Sequence, residues 1–166
     1  MNLKNLLNLQ KTIFLKKNNI FAILLVLLIF IFDRFTKINI INNYSDNVFF
    51  ISDFVNLDLI WNTGIGFGLL SVDSSFIYNL ISVFIGLIIL ILFYVALISK
   101  TKDKLIFSVI IGGAIGNFYD RAIYKAVPDF IDVHYGNLHW FTFNTADIFI
   151  TMGVLIFLFK STERKK

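Results

Sequence analysis

Apolar residues dominate the chain in four long stretches, separated by shorter polar segments. The first is unbroken over residues 20–32 and continues through Asp33, Arg34 and Lys37 to about residue 41. Only with that continuation does it reach the roughly 20 residues that a bilayer span requires. The second, residues 76–98, holds nothing more polar than Tyr78, Asn79, Ser82 and Tyr94. The third, 105–123, is rich in glycine and meets charge at Asp120, and the fourth, 141–159, contains Asn144 and Asp147. These lengths predict four transmembrane helices over about 20–41, 76–98, 105–123 and 141–159, in a single domain covering residues 1–166. A different pattern fills the connection before the second stretch. "VFFISDFVNLDLIWN", residues 48–62, alternates imperfectly and is rich in β-branched and aromatic residues, followed by the glycine-rich "NTGIGFG" of 62–68. That combination predicts a small β-sheet beside the helices, so the fold class is a membrane all-α protein with a small β element.

Composition sharpens this picture. With 57% hydrophobic and 16% charged residues, a chain of 166 residues cannot cover its apolar surface as a water-soluble domain. Cysteine is absent, which excludes disulfides, thiolate metal ligands and a cysteine nucleophile. Two histidines, His134 and His139, are too few to form a metal site unaided, so neither a metal nor an organic cofactor is expected.

The net charge of +4 does not point to nucleic acid, because of where the charges lie. Lys4, Lys11, Lys16 and Lys17 precede the first stretch, Lys100, Lys102 and Lys104 occupy the short loop between the second and third, and Lys160, Arg164, Lys165 and Lys166 close the chain. With four spans these three basic segments share one side, which the positive-inside rule makes cytoplasmic. Both termini are then cytoplasmic, and the 42–75 and 120–140 connections, with the predicted sheet, face outward. A basic start before an apolar run also fits a cleavable signal peptide, but the following "DRFTKINIINN" offers no small-x-small cleavage site.

Ionisable groups within apolar segments need an explanation, because each costs a few kcal/mol or more in a bilayer. If the fourth helix begins near Phe141, Asp147 lies roughly 9 Å along it and shares a face with Asn144. The competing reading makes Asp147 a helix cap. Asp129 and Asp132 follow the third stretch in "PDFID", and spacing alone does not choose between them. A carboxylate from this segment and Asp147 can meet where consecutive antiparallel helices exit and enter. Two close carboxylates do not both ionise easily, so one keeps a proton and the pair holds a general base and a general acid around one water. In "GGAIGNFYDR", 112–121, Gly112 and Gly116 have small-xxx-small spacing, and Asn117 and Arg121 share a face beside Asp120. In "DRFTK", 33–37, Asp33 and Lys37 stand at i,i+4 and can neutralise each other.

Taken together, DRFTK, NTGIGFG, GGAIGNFYDR, PDFID and FNTAD, in that order, resemble the lipoprotein signal peptidases (signal peptidase II) of bacteria over roughly residues 20–160. The resemblance implies an aspartic endopeptidase that removes the signal peptide from diacylglyceryl-modified prolipoproteins, cutting just before the lipidated cysteine. It implies Asp129 and Asp147 as the catalytic pair, with Asp132 at a second, non-catalytic acidic position where replacement is tolerated. Asp33, Lys37, Asn62, Gly64, Asn117, Asp120, Arg121 and Asn144 match its supporting positions. The asparagines and Arg121 are expected to hold the peptide backbone, with Asp120 orienting Arg121. His134, Tyr135, His139 and Trp140 read as interfacial filler. The implied setting is the bacterial cytoplasmic membrane with the active site at its outer face, the partners are prolipoproteins and membrane lipid, and the chain is expected to be a monomer. Pro128 stands where the family usually has Val or Ile, and Gly66 where it usually has Ala. Two other classes remain to be weighed. A proton-coupled carrier would string carboxylates along a path, whereas these gather at one face, and a structural subunit would leave the five blocks without a purpose.

Overall fold

The computed structural model describes residues 16–45, 47–64 and 75–163. In chain order its elements are helix α1 (Lys17–Asn43), strands β1 (Phe49–Ser52) and β2 (Val55–Asn62), helices α2 (Ser75–Ile98) and α3 (Thr101–Tyr124), strands β3 (Val127–Tyr135) and β4 (Leu138–Phe143), and helix α4 (Thr145–Glu163). Among the described residues three helices are long and apolar enough to cross a membrane: α1, α2 from Phe76 onward, and α4.

α3 is different because it occupies the middle of the bundle, packed against α1, α2 and α4. A helix enclosed by others needs close backbone approach more than bulk, and its glycines provide it. A Cβ at Gly112 would lie 2.8 Å from the Ile29 side chain of α1, and one at Gly113 would lie 2.5 Å from the Ala146 carbonyl oxygen of α4. The apolar core runs through Val26, Ile89, Phe107, Ile110 and Ile111. On α1 the buried residues Ala22, Val26, Ile29, Asp33, Lys37 and Ile40 fall at helical spacing on one face, while Phe21, Leu24, Leu28 and Phe35 are exposed. The inward stripe is thus the one carrying the charges, the reverse of a soluble amphipathic helix.

The strands form one antiparallel sheet in the order β1-β2-β3-β4. β1 and β2 realise the alternation of residues 48–62. β3 and β4 extend the sheet beyond what that alternation predicted, and they alter one boundary. Phe141 to Phe143 belong to β4, with Phe141 opposite Val133 and Phe143 opposite Ile131, so the fourth helix begins at Thr145 and not near Phe141. The aromatic–threonine alternation of "WFTF" satisfies a strand's period of two, which an apolar count does not detect.

The hairpin turn between β3 and β4 holds Gly136 at φ 58° beside Asn137, with Tyr135 paired to Leu138. A positive φ at the first turn residue is one that glycine adopts without steric penalty. At the other end of β3, Lys125 caps α3 in the left-handed region at φ 57° and turns the chain directly into the sheet. Pro128 then pairs with Trp61 of β2, before β4 joins at Ile131, so on β4's side the strand is still an edge. An edge is where a missing N–H is tolerated.

Candidate active site

The short turn at Lys125 leads β3 off the end of α3, and β4 delivers the chain to the start of α4. Asp129 on β3 and Asp147 in the first turn of α4 are therefore brought to the same end of the bundle by one hairpin. Asp129 is 3% exposed. Its Oδ2 accepts a hydrogen bond from Asn62 Nδ2 of β2 at 2.8 Å, and its Oδ1 accepts one from Asn144 Nδ2 at 2.6 Å. Asn62 is itself fixed, since its Oδ1 accepts the Gly64 N–H at 2.8 Å.

Asp147 is half-buried. Its backbone N–H donates to Asn144 Oδ1 at 3.2 Å, while its Oδ2 accepts the Asn144 backbone N–H at 3.2 Å. This reciprocal pair is a capping box with Asn144 as N-cap. The capping role weighed for Asp147 is real, yet it uses only one carboxylate oxygen. Oδ1 accepts a hydrogen bond from Asn117 Nδ2 of α3 at 2.8 Å. Asn144 thus bonds both carboxylates, and the negative charge of Asp147 acts on Asp129. Burial pushes the Asp129 carboxyl up from its ordinary 3.8 to about 6; the Asn62 donor opposes the rise, the Asp147 charge adds to it, and the Asn144 donor opposes it.

Behind the pair lies a layer of buried ions. Lys37 and Asp33 of α1 and Asp120 of α3 are each 0% exposed. Lys37 Nζ lies 2.9 Å from Asp33 Oδ2 and 2.7 Å from Asp120 Oδ2, and it donates to Asn117 Oδ1 at 2.8 Å. Arg34 pairs with the other oxygen of Asp120. Asp33 Oδ1 accepts the Ala146 N–H at the start of α4 at 2.9 Å, and the Thr36 and Thr145 hydroxyls are 2.9 Å apart.

An apolar cavity of about 410 Å³ opens beside Asp147, lined by Phe141, Phe143, Asp147, Ile148, Thr151 and Met152. An acidic pair with one member lining an apolar groove suits hydrolysis of a bond presented by an apolar substrate. Comparison with known proteins identifies the group to which this arrangement belongs. The family model described as Signal peptidase (SPase) II matches residues 25–162. The chain belongs to the signal peptidase II family. It is 50% identical over 141 residues to the lipoprotein signal peptidase of Pelagibacter ubique (strain HTCC1062), covering 83% of this chain and 85% of that one. It is 40% identical over 146 residues to that of Anaplasma marginale (strain Florida), covering 86% and 84%. A solved structure described as a bacterial membrane enzyme, obtained by the in meso method at 2.3 Å resolution, matches with a TM-score of 0.69 and 31% identity over 87% of this chain and 91% of its own.

As a signal peptidase II, the chain gathers most of the positions singled out from its sequence: Asp33, Lys37, Asn62, Gly64, Asn117, Asp120, Asp129, Asn144 and Asp147 form one hydrogen-bonded system. Gly66 lies outside the described residues. Asp120 does not orient Arg121. It pairs with Arg34 and Lys37, because consecutive helix residues point about 100° apart and Asp120 faces α1. Arg121 instead lies over the Tyr78 ring of α2, 5.8 Å from its centroid, and its Nη1 is buried without a hydrogen-bond partner.

Arg34 was missed, although a cation inside an apolar helix demands an anion. Asp132 is buried at 2% exposure, and His139 Nδ1 lies 2.8 Å from its Oδ2, with His134 Nδ1 at 3.5 Å. These histidines do not merely fill an interface, and Asp132 is too embedded to be replaced without effect. The G-N turn at 136–137 between residues of alternating character was the signal that could have revealed the hairpin holding them.

Proposed function

We propose that Asp129 and Asp147 are the catalytic pair of an aspartic endopeptidase that removes the signal peptide from prolipoproteins just before a diacylglyceryl-modified cysteine. The observation that carries this reading is the linkage of two carboxylates through Asn144, one of them raised to about 6 and the other lining an apolar groove. The pair shares one proton in the working state. The ionised member takes a proton from water as its oxygen attacks the scissile carbonyl, and the protonated member gives its proton to the carbonyl oxygen. Collapse of the tetrahedral diol breaks the C–N bond: the protonated carboxyl gives its proton to the leaving amine while the other carboxylate takes one from a diol hydroxyl, which restores the pair's single proton.

Arg121, buried against Tyr78, is assigned to holding the substrate backbone. The asparagine amides are engaged with the carboxylates, so we assign them chiefly to fixing the pair. The groove of Phe141, Phe143, Ile148 and Met152 receives apolar parts of the substrate. A lipid anchor keeps the scissile bond at the depth of Asp147 and so supplies proximity.

α3, enclosed by α1, α2 and α4, makes a fourth span, with the basic ends cytoplasmic and the sheet and active site at the outer face of the bacterial inner membrane. We take residues 1–166 as one domain working as a monomer. The test is processing of a lipid-modified precursor by purified protein in detergent, followed as a drop in mass. Asp129→Asn and Asp147→Asn should each abolish cleavage while remaining inserted. Wild-type rates in either variant overturn the assignment.

A further inference from the structure

Strand alternation places Asp132 and His134 on one face of β3, opposite to the face of Asp129. β4 supplies the third group through an irregularity. Val133 is opposite Phe141, yet His134 is opposite His139, so one residue of β4, Trp140, is bulged out of register. A bulge re-aims the neighbouring side chain, and here it sets His139 rather than Trp140 against His134. The two imidazoles stack with centroids 5.3 Å apart and planes 24° from parallel, and both Nδ1 atoms turn toward Asp132 Oδ2.

A hydrogen bond accounts for His139, whose Nδ1 is 2.8 Å from that oxygen. It does not account for His134. That residue is 8% exposed, and its Nδ1 is buried without a hydrogen-bond partner, 3.5 Å from the same carboxylate oxygen. A buried ring nitrogen aimed at an oxygen it does not bond is arranged for a third party between them. The three ligand atoms lie within 4.8 Å of one another. Around a tetrahedral zinc with bonds of about 2.0–2.2 Å, ligand atoms stand roughly 3.3–3.5 Å apart, so the set closes on an ion with small side-chain movements.

We propose that Asp132, His134 and His139 form a binding site for a divalent transition-metal ion of the zinc class, clamping β3 to β4. Two imidazoles and one carboxylate are borderline donors that favour zinc over magnesium or calcium. The His139 side chain is 58% exposed, which gives the ion an entrance and leaves a fourth position to water. Two histidines alone are too few, but the buried carboxylate completes the set. The ion lies between the segments that carry the catalytic groups, since Asp129 precedes Asp132 on β3 and β4 leads into Asn144. Its role is to tie the hairpin together, on the strand face turned away from the reaction.

The experiment uses tag-free protein, chelator-treated and purified in detergent, titrated with zinc chloride. Bound metal is counted after equilibrium dialysis, and thermal unfolding is followed in parallel. One saturable zinc per chain and a rise in Tm are expected, with magnesium giving neither. His139→Ala, at an exposed position, and the more conservative His134→Gln should each weaken binding at least about tenfold and remove the rise in Tm. Absence of saturable binding at about 100 μM zinc, where a site of this class would be filled, overturns the proposal. So does binding left undiminished in both variants, which would mean that other surface groups hold the ion.

Discussion

Asp129→Asn removes a buried carboxyl whose ionisation the fold resists. Its value rises from 3.8 to about 6, burial being the largest cause. At about 1.36 kcal/mol per unit, the ionised group costs the folded state about 3 kcal/mol relative to the unfolded chain once both are ionised. Because the folded value is the higher one, the group's contribution to stability is fully present below 3.8 and is lost as pH rises through about 6. Integrating over that window, the loss between about pH 5 and about pH 8 amounts to about 1.4 kcal/mol.

Asparagine does not titrate. Its amide nitrogen meets the Nδ2 donors of Asn62 or Asn144, a mismatch of about 1–3 kcal/mol that does not change with pH. The expected result is therefore a slope and not an offset: from about pH 5 to about pH 8 the variant gains about 1.4 kcal/mol on the wild type, roughly 3–5 °C in Tm. Reversible unfolding in mild detergent at the two pH values measures it, and the difference between the proteins cancels the titrating groups that do not couple to Asp129. A difference that stays constant, or moves the other way, refutes the claim that this carboxyl is strained by burial.

Three further outcomes follow from the same geometry. The working pair holds one proton, so kcat/KM should fall as pH rises past about 6, and the limb in kcat should lie higher because substrate excludes water; a flat kcat/KM profile between about pH 5 and pH 8 contradicts this. Lys37→Met leaves Asp33 and Asp120 buried beside Arg34 alone and should destabilise by about 3–5 kcal/mol, read from unfolding, with part recovered when Asp33→Asn is added. Gly113→Ala places a Cβ 2.5 Å from the Ala146 carbonyl and 3.0 Å from Ile150, so α3 and α4 must separate. We expect a loss of about 1–3 kcal/mol together with slower processing, because the Asn117–Asp147 bond crosses that same contact.

Much of this site was legible because a bilayer leaves polar residues few innocent explanations. Asp33, Lys37, Asn117, Asp120 and Asp147 stand out of apolar sequence, and each proved to be bonded in the interior. Periodicity located the helices for the same reason. What it missed was the strand pairing of residues 127–143. Pro128, two aspartates and two histidines look like a loop, and no count of apolar residues shows that Asn62 of β2 will lie beside Asp129 of β3. Long-range pairing also decided the partner of Asp120. Adjacency in sequence favoured Arg121, whereas helix geometry turns Asp120 toward Arg34 and Lys37, more than 80 positions away.

The buried ions explain how Asp147 is held without water. A helix that begins in an apolar medium leaves its first N–H groups unpaired, and each needs a partner from the protein. Here the Ala146 N–H goes to Asp33 and the Asp147 N–H to Asn144. Asp33 is a usable acceptor only because Lys37 neutralises it, and Lys37 in turn orients Asn117, which bonds the free oxygen of Asp147. Asp33 and Asp120 against Arg34 and Lys37 sum to zero formal charge, so the layer adds no net charge behind the site while fixing its geometry from two helices. Asp33 and Lys37, which neutralise each other on one helix face, therefore also help to hold Asp147. Loosening that layer should change the alignment of the proposed catalytic pair before it unfolds the bundle.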